Sequence, residues 1–150
     1  IMLIFDEVQS GFGRTGKWFA LEHHEVVPDI ITAAKGIASG LPLSGVFSRT
    51  DIMKKLDTGS IGGTYGGNAI ACAAGVATIQ AMREEKMVEN SAKMGAYLLN
   101  KVRQLKSPLI ETTRGRGLFV GIQFHKGFGV TANDLASMLM KNGFITILPI

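Results

Sequence analysis

The sequence has little of what marks secreted, membrane or nucleic-acid-binding proteins. It contains one cysteine, Cys72, in 150 residues, which excludes an internal disulfide and favours a reducing compartment. The longest uncharged apolar run, residues 69–79, is shorter than the roughly 20 residues that a membrane helix needs. The formal net charge is only +4, without the basic stripe of nucleic-acid-binding domains, and no targeting segment is visible. We therefore expect a cytoplasmic protein with no membrane or nucleic-acid partner.

Glycine, in contrast, is abundant. There are 19 glycines in the chain, about twice the average usage, and they cluster at residues 11–16 and 59–67, which suggests tight turns near a ligand. The hydrophobic content of 46% is ordinary for a globular domain. We interpret residues 69–79 as a buried helix, with Cys72 as a small core residue.

Short apolar runs alternate with helical patterns over the first 80 residues or so, which predicts an α/β fold. The predicted strands are residues 2–5, 30–34, 44–48, 109–113, 118–124 and 144–148, and the predicted helices are 18–24, 50–56 with Thr50 as cap, 69–83 with Asn68 as cap, 87–105 and 133–141. The last part of the chain has the pattern of a smaller α+β unit. We predict a large-domain portion at 1–83, a connecting helix at 84–106 and the start of a small domain at 107–150.

The first eighteen residues contain a glycine pattern that could hold a nucleotide. A P-loop requires Ser or Thr after its lysine to bind magnesium, and Trp18 follows Lys17 here. A dinucleotide-binding turn requires its first glycine at the end of the strand, whereas residues 6–10 intervene before Gly11. We therefore consider both nucleotide interpretations poor, and we predict no metal site.

A carboxylate and a lysine each follow a predicted apolar strand. If the two strands are parallel, Asp6 and Lys35 emerge at the carboxyl edge of the sheet, where open α/β sheets bind ligands. One explanation is a structural Asp6–Lys35 ion pair. The other is that the lysine attacks a carbonyl group as the neutral amine.

Pyridoxal phosphate would give both residues a role, because its aldehyde forms a Schiff base with lysine and its ring nitrogen is kept protonated by a carboxylate. The cofactor also needs a phosphate site. Residues 62–68, GGTYGGN, offer a hydroxyl, backbone amides and a following helix N-terminus. A flexible connection is the alternative for this segment.

Three motifs together closely resemble those of class III, pyridoxal-phosphate-dependent aminotransferases. They are DEVQSGFGRTG at residues 6–16, the lysine segment from Pro28 to Pro42, and GTYGGN at residues 63–68. Their order agrees with the family, and the intervals Asp6–Lys35 and Lys35–Thr64 are equal in length. The resemblance covers essentially the whole chain and implies the large domain of a fold type I transferase, a mainly parallel sheet with flanking helices, followed by part of the small domain.

The resemblance also implies roles for individual residues. Asp6 pairs with the pyridinium nitrogen, Val8 packs on one ring face and Gln9 hydrogen-bonds the ring hydroxyl oxygen. Lys35 carries the Schiff base, and Thr64 contacts the phosphate of the neighbouring subunit in a homodimer. The implied reaction is ping-pong transamination, in which an amino acid or omega-amine donates its amino group and a 2-oxo acid accepts it.

Some assignments stay open at this point. The family's phosphate-binding loop within the subunit and its C-terminal substrate arginine have no counterpart in these residues, so we expect a piece of a longer protein. Arg114 and Arg116 are interpreted as structural, and His23, His24 and His125 as surface or packing residues. A racemase or aminomutase of the same family, and a non-catalytic domain of the same fold, remain alternatives.

Overall fold

The computed structural model describes residues 1–127 and 129–146. The chain forms two small sheets and four α-helices, with two short 3₁₀ helices beside the first sheet. The strands are β1 (Ile4–Asp6), β2 (Ile30–Ala33), β3 (Gly45–Ser48), β4 (Ile110–Arg116) and β5 (Phe119–Phe124), the α-helices are α1 (Thr50–Met53), α2 (Ala69–Glu84), α3 (Met87–Gln104) and α4 (Ala132–Lys141), and the 3₁₀ helices are Ala20–His23 and Lys35–Ala38. The predicted α/β class is confirmed.

The first sheet contains β1, β2 and β3 in that order. Strands β1 and β2 are parallel, with Asp6 opposite Thr32, whereas β3 runs antiparallel to β2. One of the two pairings in this sheet is therefore parallel, so the expectation of a mainly parallel sheet holds only for β1 and β2 within this chain. The parallel pair matters most for the site, because it brings the ends of β1 and β2 to one edge.

Helix α2 packs against the segment that follows β2. Its start is as predicted: the side chain of Asn68 accepts a hydrogen bond from Ala71 N at 3.0 Å, which satisfies one of the free amides of the first turn. A Cβ atom on Gly75 would lie 2.8 Å from a methyl group of Leu43 and 3.4 Å from the carbonyl oxygen of Ile37. Glycine at this position therefore allows α2 to approach the 3₁₀ helix Lys35–Ala38 closely.

The cap of α1 differs from the prediction. Thr50 is the first residue of the helix, Arg49 is the N-cap, and no side chain caps the helix. The guanidinium group of Arg49 instead binds the Asp29 and Asp51 carboxylates, at 2.7 and 3.1 Å. These ion pairs hold the helix start against the residue that precedes β2, and the helix ends at Met53 rather than at residue 56.

The packed face of α3 is formed by small residues as well as apolar ones. Val88, Ser91 and Gly95 are buried, whereas Met94 and Leu98, which the helical periodicity assigns to the core, are 38% and 42% exposed. The reason is the closeness of the β4–β5 turn: a Cβ atom on Gly95 would overlap the carbonyl group of Gly117. Backbone packing at small residues, rather than large side chains, sets this contact.

The second sheet is the antiparallel pair β4–β5. Strand β4 continues through Arg114 and Arg116, which the sequence pattern places in the connection between two strands. The guanidinium group of Arg114 donates to Gln123 Oε1 on β5 at 3.0 Å, which supports its structural interpretation. Of the predicted last strand, residues 144–146 are not in a strand, and residues 147 and 148 lie outside the described residues.

Two segments are more exposed than their apolar sequence suggests. Residues 2–4 of the first predicted strand are 41–57% exposed, and among the strands of the described residues β1 pairs with β2 alone. Helix α2 buries Ala71 and Gly75, but Ile70 and Val76 are 73% and 68% exposed and Cys72 is exposed. One face of α2 packs on the 3₁₀ helix and the other faces outward, so Cys72 is a surface residue. None of the helices within residues 1–127 and 129–146 is both long and apolar enough to cross a membrane.

Candidate active site

The parallel pairing of β1 and β2 brings two chemically active residues to one edge of the sheet. Asp6 ends β1 and is opposite Thr32, and Lys35 begins the 3₁₀ helix that follows β2. Both side chains are exposed at this edge. The structure therefore confirms the predicted parallel arrangement from which the proximity of Asp6 and Lys35 was inferred.

One oxygen atom of the Asp6 carboxylate is hydrogen-bonded within the chain. Its Oδ1 atom accepts hydrogen bonds from Val8 N at 3.0 Å and from Thr32 Oγ1 at 3.3 Å. Within the described part of the chain, Oδ2 accepts no hydrogen bond, so this atom can accept one from a ligand. The bond to Val8 N ties Asp6 to the turn that follows it, and the bond to Thr32 ties it to β2.

The amine of Lys35 faces the side chain of Gln9. Lys35 Nζ donates to Gln9 Oε1 at 3.4 Å, a long hydrogen bond, and the ion pairs of the described residues do not include one between Lys35 and Asp6. The structural ion pair is therefore not formed. The backbone of Lys35 has a φ of 46°, a left-handed conformation that costs a side-chain-bearing residue about 1–2 kcal/mol and that turns the chain sharply at the end of β2.

Glu7 is the residue that inspection of the sequence missed. It is 2% exposed, and its carboxylate accepts hydrogen bonds from Ser10 Oγ at 2.5 Å, Ala20 N at 3.0 Å and Leu21 N at 2.7 Å. Consecutive residues at the end of a strand face opposite sides, so of the pair Asp6–Glu7 one carboxylate had to face inward. Ser10, three residues later, was the other signal that could have identified it.

The glycine loop at residues 58–68 lies apart from these contacts. Thr64 is exposed, and the hydrogen bonds of the loop are local ones, such as Gly66 N to Gly63 O at 2.9 Å and Asn68 N to Tyr65 O at 3.3 Å. None of the hydrogen bonds found among the described residues joins Thr64 to Asp6, Gln9 or Lys35. Hydrogen bonds within this chain thus link Asp6 with Val8 and Gln9 with Lys35, whereas those of the described residues do not link Thr64 to any of the four.

Comparison with known proteins agrees with this arrangement. The family model described as aminotransferase class-III matches residues 1–148. The chain belongs to the class-III aminotransferase family. Pyridoxal phosphate is the cofactor of these aminotransferases.

Relatives of known activity and structure are similar over most of this class-III chain. Ornithine aminotransferase 1 of Staphylococcus aureus (strain COL) is 47% identical over 146 residues, which are 97% of this chain and 36% of the relative. The ornithine aminotransferase of Toxoplasma gondii, whose structure has partial occupancy of pyridoxal phosphate at the active site, superposes with a TM-score of 0.90 at 35% identity, covering 98% of this chain and 35% of that one. The acetylornithine aminotransferase of Elizabethkingia anophelis gives 0.87 at 36% identity, covering 97% and 37%. The chain thus spans about a third of the length of these proteins.

The hydrogen-bonding groups at the sheet edge suit the cofactor of the family. A pyridinium N–H needs an acceptor and Asp6 Oδ2 can be one, while the amide nitrogen of Gln9 can donate to a ring hydroxyl oxygen because its Oε1 is the atom facing Lys35. A cavity of about 450 Å³ lies nearby, between residues 12–14, α2 and α3, but none of the five predicted cofactor residues lines it. The chemistry therefore points to the open sheet edge rather than to this cavity.

Proposed function

We propose that this chain carries the lysine-bearing part of a pyridoxal-phosphate-dependent transaminase. The observation that supports this most is the convergence of Asp6, Gln9 and Lys35 at the carboxyl edge of a parallel strand pair, with Lys35 Nζ 3.4 Å from Gln9 Oε1. In open α/β sheets this edge is where ligands bind. Membership of the class-III family supports the same function.

Four residues of one chain would hold the cofactor ring. Asp6 would accept a hydrogen bond from the ring nitrogen through Oδ2, Gln9 would donate to the ring hydroxyl oxygen, and Val8 would pack against one ring face. Lys35 would hold the cofactor covalently through Nζ. Thr64 would bind the phosphate from the neighbouring subunit of a homodimer, which is consistent with its exposure.

The bound cofactor supplies an aldehyde that condenses with amines and a protonated ring that withdraws electrons from the substrate. Asp6 holds the proton at the ring nitrogen, because a carboxylate there favours the charged ring. As a free amine, Lys35 Nζ would take the proton from the substrate Cα and act as general base. Gln9 orients the free amine of Lys35 through the hydrogen bond seen here.

We propose that the amino donor is an amino acid with a terminal amine, as ornithine is, and that the acceptor is a 2-oxo acid. The ornithine and acetylornithine aminotransferases among the relatives support this donor class. The proposal includes a cytoplasmic location, which the single cysteine of the chain supports. It also keeps the division into residues 1–83, 84–106 and 107–150, supported by the placement of one sheet before α3 and the other after it.

The absorption spectrum of the full-length gene product tests the proposal. With pyridoxal phosphate, wild type is expected to show a visible band that borohydride removes, with the reduced cofactor attached to the peptide containing Lys35. Lys35→Ala should show no such band, and Lys54→Ala, which changes a lysine at the end of α1, should match wild type. A wild type without the band, or a band that survives in Lys35→Ala, would leave the motif residues as scaffold and refute the proposal.

Amine transfer itself is tested with ornithine and a 2-oxo acid. A transaminase converts the 2-oxo acid to its amino acid in step with loss of ornithine. Exchange of the Cα hydrogen for deuterium without formation of a new amino acid would instead favour a racemase or aminomutase of the same family.

A further inference from the structure

The buried carboxylate of Glu7 stands directly behind the residues that face the proposed cofactor. Glu7 separates Asp6, at the end of β1, from Val8 and Gln9 in the following turn. It is the largest side chain that is fully buried among the described residues. A buried carboxylate is costly unless strong hydrogen bonds compensate for the lost water, so its presence at this position needs a physical explanation.

Glu7 connects three separate segments of the chain. Its carboxylate accepts hydrogen bonds from the backbone amides of Ala20 and Leu21, at the start of the first 3₁₀ helix, and from the hydroxyl group of Ser10 in the turn. Its backbone N–H donates to Thr32 O on β2 at 2.9 Å, and its carbonyl oxygen accepts from Gly11 N at 2.9 Å. Every polar group of Glu7 therefore has a partner, and the peptide planes on both sides of it are fixed.

The direction in which the neighbours project follows from these bonds. Because Glu7 points into the protein, Asp6 on the strand before it points to the opposite side. Ser10 is tied back to the Glu7 carboxylate and Gly11 to the Glu7 carbonyl oxygen. The turn that carries Gln9 therefore cannot rotate without breaking one charge-assisted hydrogen bond and one backbone hydrogen bond. The orientation of both cofactor-facing side chains thus depends on one carboxylate that does not face the site.

We propose that Glu7 is a positioning residue of the active site: its buried carboxylate locks the residue 6–10 turn so that Asp6 and Gln9 face the same edge as Lys35. The inference rests on the proposed cofactor function. It differs from a purely structural role because loss of the Glu7 carboxylate is expected to change how the cofactor is held and not only how stable the fold is.

The sharpest variant is Glu7→Gln in the full-length holoenzyme. Glutamine has nearly the same shape, but its NH₂ group would meet a backbone N–H at Ala20 or Leu21, donor against donor. We expect the dissociation constant for pyridoxal phosphate to rise about 10-fold or more, as when a group that orients a ligand-binding side chain is removed. We also expect the visible band of the bound cofactor to titrate at a different pH.

Glu22→Gln is the matched control. Glu22 is exposed and its side chain accepts a hydrogen bond from Phe19 N at 2.8 Å, so it caps the same 3₁₀ helix without touching the residue 6–10 turn. Glu22→Gln is expected to leave cofactor affinity and band titration as in wild type. The opposing outcome is that Glu7→Gln lowers the melting temperature while its cofactor affinity and the titration of its visible band stay as in wild type and in Glu22→Gln. In that outcome Glu7 is only structural and the inference is wrong.

Ser10→Ala covers the case in which Glu7→Gln does not fold. It removes one of three donors to the carboxylate while keeping the charge and both amide bonds, and a loss of cofactor affinity of about 3-fold or more is expected for one net hydrogen bond. Wild-type affinity in Ser10→Ala would then overturn the inference. The proposed function fails separately, through absence of the Lys35-dependent band in wild type.

Discussion

The chain has two glycine-rich segments that use glycine for opposite reasons. In the motif loop at residues 11–16, added Cβ atoms would meet other parts of the protein: Glu7 O at 2.8 Å from Gly11, the Met82 methyl at 3.1 Å from Gly13 and Ala92 Cα at 2.8 Å from Gly16. In the loop at residues 58–68, Gly59, Gly62, Gly63 and Gly67 have nothing within 4 Å of an added Cβ. Two segments of similar composition therefore form different structures, a packed loop at residues 11–16 and an open loop at residues 58–68.

The difference shows where each loop obtains its order. The packed loop is fixed by this chain, through Glu7, α2 and α3, and it directly follows the turn that presents Gln9 at the sheet edge. The open loop meets no other segment of the described chain closely, so its glycines leave backbone amides accessible. Such amides can bind an anion such as a phosphate group, so this loop is accessible to a ligand or to a second subunit.

The largest expected effect is a change of stability that only the packed loop shows. Gly16→Ala places a methyl group 2.8 Å from the Ala92 backbone at a φ of +82°, so we expect the free energy of unfolding to fall by about 2–4 kcal/mol. Gly63→Ala, the matched change in the open loop, should stay within about 0.5 kcal/mol of wild type. Urea unfolding of both full-length variants measures this, and a similar loss at Gly63 would mean that the open loop is packed after all.

A second effect should appear only at the open loop. If Thr64 binds the phosphate of the neighbouring subunit, Thr64→Ala loses a hydrogen bond to a charged group, worth about 1.5–3 kcal/mol, and cofactor affinity should fall at least 10-fold without loss of stability. Mixing Thr64→Ala subunits with Lys35→Ala subunits should then restore one site of wild-type affinity per mixed dimer. That site combines Lys35 of one subunit with Thr64 of the other.

The mixing experiment also identifies the alternative. If Thr64 acts on the cofactor of its own subunit, no mixed dimer contains an intact site, and affinity stays low in the mixture. In that case the open loop would have to move toward Lys35 within one chain, and the distinction between the two loops would be one of conformation rather than of subunit.

The smallest effect concerns acid stability at the start of the sheet. Asp29 Oδ2 accepts from Leu3 N at 2.8 Å, and this bond, followed by the Arg49 guanidinium, holds the pKa of Asp29 below its ordinary value of 3.8. The contribution of Asp29 is therefore complete above the pKa of the unfolded chain and is lost as the pH falls through the lower folded-state value. Hydrogen exchange should show that the protection of the Leu3 amide decreases on acidification in wild type. The protection should depend little on pH in Asp29→Asn, and residues 62–66 should not show the effect.

The sequence predicted most of what local chemistry controls. The strands at residues 4–6 and 30–33, the Asn68 cap and the long helices α2 and α3 follow from apolar runs, capping residues and periodicity. The parallel pairing that brings Asp6 and Lys35 to one edge was a condition of the sequence argument and an implication of the family resemblance, and the structure meets it. These features depend on a few neighbouring residues, which a single sequence displays directly.

Long-range packing could not be predicted in the same way. The buried side of α3 uses Ser91 and Gly95 because a turn 20 or more residues away lies against them, and periodicity alone favoured Met94 and Leu98. Glu7 was missed because its donors at Ala20 and Leu21 are backbone amides, which leave no mark in the side-chain sequence. The exposure of Cys72 followed from which face of α2 packs, again a tertiary property.

The contact between the motif loop and the first part of α3 has a consequence for synthesis of the protein. Ser91 Oγ donates to Arg14 O at 3.1 Å across 77 positions of sequence, and the same carbonyl oxygen accepts from Leu118 N at 2.9 Å. At typical ribosomal rates those 77 residues take about 4–15 s to appear. The contacts of Glu7 with residues 10, 11, 20, 21 and 32 can therefore form early. In a nascent chain halted before Ser91, however, the loop at residues 11–16 still lacks its bonds to α3 and to the β4–β5 turn.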